Sequence, residues 1–139
     1  MREIEKHLFD IYAHQKFEDV PLIFILGSPR TGSTFLYQLV VNFFNVFYFS
    51  NLINDKFWEF PVCGAALSSM LDCKEVSYKS DFGKTQTLCE PSEASLIMKN
   101  WFGGEHPSQT QSKKIKANQK SHMLNTLSSI FAITQQPIL

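Results

Sequence analysis

The sequence predicts an α/β fold with a parallel sheet, and three features of its first third carry that expectation. Pro21–Leu26 is a continuously apolar run, the pattern of a strand covered on both faces. Gly27–Thr34 (Gly-Ser-Pro-Arg-Thr-Gly-Ser-Thr) is a glycine-bounded loop that leads into the helix-like stretch Phe35–Val41. Phe47–Phe49 is a second short apolar run. Strand, loop, helix and strand in this order form a βαβ unit, whose strands run parallel through a right-handed crossover. Ligands of such sheets bind beyond the carboxyl ends of the strands. The loop falls at that end of the first strand, and Ser50 and Asn51 at that end of the next.

The other elements follow from local pattern. Residues 2 to about 16 spell an amphipathic helix, with Ile4, Leu8, Ile11 and Tyr12 at helical spacing and charges between them. His7 and His14 share one face of it, a solvated or half-buried face rather than a catalytic pair. The helix after the loop spans residues 34 to about 44. Leu52–Phe60 is aromatic-rich and suits a short helix, and Cys63–Leu71, small and apolar, suits another. Ser77–Thr87 is polar, contains Gly83 and forms a loop. Glu90-Pro91-Ser92-Glu93 opens a helix, because proline fits a first turn and carboxylates there complement the dipole. That helix runs to Phe102, where Gly103 and Gly104 stop it. After the polar turn Pro107–Ser112, residues 113 to about 134 form a last helix with Leu124, Leu127, Ile130 and Phe131 on one face. Lys113, Lys114, Lys116 and Lys120 make its first half basic, the mark of a solvated face. Pro137–Leu139 begins another buried strand.

Composition narrows the class. A chain of 139 residues with 44% hydrophobic content is one domain with a core, not a disordered chain. A net charge of zero gives no basic face for nucleic acid. Cys63, Cys73 and Cys89 are odd in number and lack a Cys-x-x-Cys pair, so reduced, buried thiols in a cytoplasmic protein are expected. The charged opening Met1–His7 is not a secretory leader, and no apolar run is long enough to span a membrane. The scattered histidines pair with no cysteine or carboxylate at metal-ligand spacing.

The chemistry concentrates in Gly27–Thr34. A loop of this kind, entering a helix N-terminus, offers backbone N–H groups and about half a positive charge to an anion. It departs from the Walker A pattern, which needs a lysine after the second glycine; here Ser33 and Thr34 follow Gly32. The cation stands earlier, at Arg30, whose guanidinium can fork onto two anionic oxygens. Glycine, serine and proline in these positions also serve as ordinary turn residues.

Pro29-Arg30-Thr31-Gly32-Ser33-Thr34, after a buried strand, resembles the 5′-phosphosulfate loop of sulfotransferases that use 3′-phosphoadenylyl sulfate (PAPS), where the usual form is Pro-Arg-Ser-Gly-Thr-Thr. Phe47–Leu52, Phe57-Trp58, Pro91-Ser92-Glu93-Ala94 and Trp101-Phe102 are similar to a bacterial-type branch of that family, so the resemblance covers residues 20 to 105. It implies a P-loop-type three-layer α/β/α fold. It also implies PAPS as sulfuryl donor, a hydroxyl or amine acceptor, and no metal. The donor site would comprise Ser28, Pro29, Arg30, Thr31, Gly32, Ser33 and Thr34. Arg30 would neutralise the leaving phosphate, and Glu93, with Glu90 second, would take the acceptor's proton. Both glutamates serve equally well as helix-start residues.

The family also clamps the 3′-phosphate with a later arginine and serine. This chain has no arginine after Arg30, so it is expected to be the N-terminal, truncated part of a single sulfotransferase-like domain. An exposed sheet edge at its end would favour pairing between copies. Two other readings stay open. One is a nucleotide-binding kinase or nucleotidase, against which Ser33 stands in place of the Walker lysine. The other is a non-catalytic interaction protein that keeps the loop for packing.

Overall fold

In the computed structural model the described residues are 1–12, 16–28, 31–81, 83–103 and 115–139. His14, Pro29, Arg30, Gly104, His106, the Pro107–Ser112 turn, Lys113 and Lys114 lie outside them. Helices cover Arg2–Tyr12 (α1), Ser33–Phe43 (α2), Asn51–Lys56 (α3), Pro61–Met70 (α4), Ser95–Phe102 (α5) and Ala117–Thr134 (α6), and a 3-10 turn covers Phe17–Asp19. Local chemistry starts several of them. Gly32 takes a left-handed φ of 85° at the entry to α2. Ser50 accepts the Ile53 N–H at the start of α3. Pro61 opens α4, where its missing N–H leaves no bond unmade.

The α/β expectation is overturned. The protein is mostly helical, and the described residues form no sheet. Leu22 and Phe47 do not pair with each other; each makes one isolated parallel bridge to Ile138. The bonds are short, with Ile23 N–H to the Ile138 carbonyl at 2.8 Å and Leu139 N–H to the Phe47 carbonyl at 2.9 Å. They stop after one bridge on each side. An apolar run becomes a covered strand only when neighbours lie along its whole length. Here Phe24 and Leu26 are 74% and 90% exposed, the reverse of what a central strand requires. Pro137–Leu139 is extended as expected, and Ile138 is buried between Leu22 and Phe47.

The core lies where α4, α5 and α6 meet α1, α3 and the extended segments. Phe47, Phe49, Ile53, Val62, Ile97, Trp101 and Ile130 pack in one cluster. A second, smaller cluster joins Val41 of α2 to Val46 and Tyr48. Gly64 lets α4 lie against α3, because a Cβ there would come within 2.8 Å of Phe57 Cβ and 3.1 Å of Ile53 Cγ2.

Two helices receive their caps from other helices. Glu5 of α1 is buried, and its carboxylate accepts the Val62 and Cys63 N–H groups at the start of α4, at 3.0 and 2.7 Å. Asn54 of α3 accepts the Leu96 N–H in the first turn of α5 at 3.0 Å. The expected apolar stripe of α1 is corrected accordingly: Ile4 and Ile11 face solvent, while Glu5 is buried and Leu8 and Phe9 pack on the core.

Two further expectations change. Helix α5 begins at Ser95, not at Glu90, because Pro91 is extended and bridges Ser50 in antiparallel sense. The expectation of three reduced thiols fails, since Cys73 and Cys89 form a disulfide with Cα atoms 5.2 Å apart. Cys63 is free and buried. Burial, with the neighbouring Glu5 carboxylate, pushes its thiol up to about 12, so it stays protonated near neutral pH. No described helix is long and apolar enough to cross a membrane.

Candidate functional site

The Gly27–Thr34 loop closes through its own hydroxyl. Thr31 Oγ1 donates to the Ser28 carbonyl at 2.7 Å, and the Thr31 N–H reaches the same oxygen at 3.3 Å. Gly27 is required for that closure, because a Cβ would sit 2.8 Å from Thr31 Oγ1. Gly32 is required by its backbone, since a left-handed φ is costly for any residue with a Cβ. Both glycines of the motif therefore have a conformational reason. Ser28 and Thr31 are exposed, and Ser33 and Thr34 are half-buried. Pro29 and Arg30, expected to hold the donor's charge, lie outside the described residues.

Behind the loop is a cavity of about 510 Å³ between α2, α5, α6 and the extended segments. Its wall is mainly apolar, including Phe17, Leu22, Phe49, Met98, Trp101, Met123 and Leu127. Ser33 and Thr34 line it from the start of α2, and Ser92 and Glu93 from the segment before α5. The meeting point is Gly83. A Cβ built there would lie 3.4 Å from Glu93 Oε1 and 3.6 Å from Thr34 Oγ1. The fold thus brings three of the expected residues, Ser33, Thr34 and Glu93, to one cavity. Tyr37, one turn further along α2, also lines it. Burial raises its phenol well above the ordinary value and the neighbouring Tyr48 adds to this, against an opposing hydrogen bond at the Phe49 backbone, so it stays neutral.

Glu90 is not at this cavity. It is fully buried and anchors the preceding loop. One carboxylate oxygen accepts the Ser77 N–H at 3.0 Å and the Ser77 hydroxyl. The other accepts the Gln86 and Thr87 N–H groups at 2.8 and 2.9 Å. Burial by itself would raise its pKa. The donated bonds from Ser77, Thr87 and Gln86 outweigh burial and hold the carboxyl down at about 2. A carboxylate so stabilised is a poor proton acceptor, which removes Glu90 as the second candidate base.

The same loop is fastened at three further points. Asn51 Nδ2 donates to Thr85 Oγ1 at 2.8 Å and to the Thr87 carbonyl at 2.7 Å. The Cys73–Cys89 disulfide closes its base. Tyr48 donates its hydroxyl to the Cys89 carbonyl at 2.7 Å beside that disulfide. These restraints hold the loop that carries Gly83. Sequence reading placed Gly83 in a loop but gave it no role; its φ of 87° emerges only from the folded turn, where Asp81 and Lys84 pair.

No protein-family model, no curated protein and no solved structure matches the chain.

Proposed function

We propose that the chain is a PAPS-dependent sulfotransferase unit that binds the donor's phosphosulfate at Gly27–Thr34 and an alcohol or amine acceptor in the adjoining cavity. The observation that carries this reading is the convergence of Ser33, Thr34 and Glu93 on one cavity around Gly83. The residues fit a phosphosulfate. The first N–H groups of a helix lack intrahelical partners, and those of α2 sit behind a glycine turn with hydroxyls on either side. Arg30 supplies the positive charge by resemblance to the family loop. PAPS, when bound, supplies the activated sulfuryl group. The chain's own residues then have three tasks. Ser33, Thr34 and the backbone hold the phosphate; Arg30 neutralises the charge that develops on it; Glu93 takes the proton from the acceptor at the cavity mouth.

The disulfide bears on where this happens. Disulfides persist in oxidising compartments, which suits Cys73–Cys89 better than the cytoplasmic setting expected from cysteine count alone.

The test is calorimetric titration with 3′-phosphoadenosine 5′-phosphate. Wild type is expected to bind, and Arg30→Ala to bind at least about tenfold more weakly, since charge-assisted hydrogen bonds contribute roughly 1.5–3 kcal/mol each. Absence of binding by wild type, or equal binding by the two chains, refutes the donor site.

A further inference from the structure

The apolar run Leu22–Leu26 is paired on one side only. Ile138 donates its N–H to the Pro21 carbonyl at 2.9 Å and accepts the Ile23 N–H at 2.8 Å. Successive residues of an extended chain point their backbone groups to opposite sides, so Leu22, between those two bonds, aims its own N–H and C=O away from Ile138. The chain runs on from Ile23 to Ser28 without helix, turn or bend, which keeps Phe24 and Leu26 in step with Leu22. None of these three residues has a backbone partner among the described residues. Phe24 and Leu26 also expose most of their side chains. The edge expected at the chain end is therefore elsewhere: Ile138 is flanked by both Leu22 and Phe47, and the open edge belongs to the first apolar run.

We infer that two copies of the chain pair antiparallel through Leu22–Leu26, about a two-fold axis at Phe24. An open edge is a template for another strand, and natural edges are guarded by charge or proline. Residues 22–26 carry neither. The chain supplies the matching strand itself. Leu-Ile-Phe-Ile-Leu reads the same in both directions, so the axis sets Leu22 against Leu26, Ile23 against Ile25 and Phe24 against Phe24 of the other copy. Phe24 then exchanges both backbone bonds with its counterpart, and Leu22 does so with Leu26 at each end. The surface is large enough. A Cβ on Gly27 would lie 3.6 Å from Ser33 Cβ, so the first turn of α2 adjoins the segment and adds Phe35 and Leu36, each about half exposed. Phe24 and Phe35 leave roughly 250 Å² of ring surface open per copy. With Ile23, Leu26 and Leu36, two copies enclose on the order of 1,000 Å², which a specific interface needs. The pairing stands apart from the sulfotransferase reading and survives its failure.

Covalent capture reads both the contact and its register. Phe24→Cys sets two thiols across the axis, where hydrogen-bonded partners have Cα atoms about 5.5 Å apart, within disulfide reach. Leu26→Cys sets them four residues out of step, about 13 Å apart along the strand and beyond reach. No native thiol competes, because Cys73 and Cys89 are bonded to each other and Cys63 is buried. Under mild oxidation Phe24→Cys is expected to give a covalent dimer, and Leu26→Cys to stay single although Leu26 is the more exposed position. In analytical ultracentrifugation the wild-type chain should approach twice the mass of one chain as concentration rises. Phe24→Lys, which brings two like charges together on the axis, should remain at the mass of one chain. Phe24 is largely exposed, so the lysine costs the fold little; if that variant does not fold, the wild-type mass and the two cysteine variants decide. A wild-type monomer at every concentration leaves the edge to some other chain and overturns the inference. So does equal cross-linking of the two cysteine variants, or a folded Phe24→Lys chain that dimerises.

Discussion

Replacing Glu90 with glutamine tests the reading of this residue as an anchor and not a base. The substitution keeps the shape and one acceptor oxygen, but sets an amide NH₂ against backbone N–H donors. If the amide NH₂ faces Gln86 and Thr87, both of their N–H bonds are lost; if it faces Ser77, the N–H bond is lost and the hydroxyl, which donated to a charged oxygen, must turn to accept from a neutral amide. At roughly 1.5–3 kcal/mol for each hydrogen bond to a charged group, the loss is at least about 3 kcal/mol. The pKa leads to the same order. Glu90 is held at about 2 against an ordinary value of 4.5. At roughly 1.4 kcal/mol per tenfold change in proton affinity, that corresponds to about 3 kcal/mol. The sign follows from the depression. The folded state favours the charged form, so the stabilisation is complete above pH 4.5 and is lost as pH falls from there towards 2. Urea unfolding followed by tryptophan fluorescence at pH 7 and pH 3 is the assay. Glu90→Gln should be less stable by about 3 kcal/mol at pH 7, a fall in Tm on the order of 10 °C, and the gap should narrow at pH 3. A variant within about 0.5 kcal/mol of wild type at pH 7, comparable to an inert surface change, refutes the anchor. So does a gap of constant size across the two pH values.

Two further outcomes follow from packing and from the cross-link. Reducing the Cys73–Cys89 disulfide, or replacing both residues with serine, should cost about 3 kcal/mol for a bridge closing 16 positions, read as a lower urea midpoint. Alkylation of the unreduced, denatured chain should then label Cys63 alone, and labelling of all three cysteines would contradict the disulfide. Gly64→Ala should destabilise by roughly 1–3 kcal/mol despite alanine's better helix propensity, because its methyl meets Phe57 and Ile53. A more stable Gly64→Ala chain would mean that α3 and α4 do not approach as closely as described.

Helical periodicity was legible in the sequence because it is local. The stretch after the loop, the Leu52–Phe60 and Cys63–Leu71 segments and the lysine-rich final segment all became helices α2, α3, α4 and α6, with ends shifted by a few residues. The Gly27–Thr34 turn was legible for the same reason: its glycines answer to a neighbouring hydroxyl and to a backbone angle, both within a few residues. Glu93 was chosen from a motif, and only the fold set it across Gly83 from Thr34.

Other features depended on distant partners, and these the sequence reading missed or inverted. The apolar run Pro21–Leu26 has the composition of a central strand, but strand status depends on neighbours that no local pattern contains, and it pairs only at Leu22. Pro91 suits a helix start, yet its contact with Ser50 keeps it extended and moves the start of α5 to Ser95. Glu5 is a carboxylate at the edge of the apolar stripe, and its charge alone would send it to solvent; burying it became favourable because its carboxylate accepts the Val62 and Cys63 N–H groups of α4, which have no side-chain cap from their own N-cap residue. Trp101 could be read as a large core ring, while the lack of a partner for its N–H among the described residues is visible only once its neighbours have been placed. Sequence alone determined which segments could be helical and where a glycine-bounded turn could form, because those depend on residues within a turn or two of each other. The tertiary structure decided which polar groups were buried, which cysteines joined and which residues share the cavity, because each of those requires two distant stretches of chain to meet.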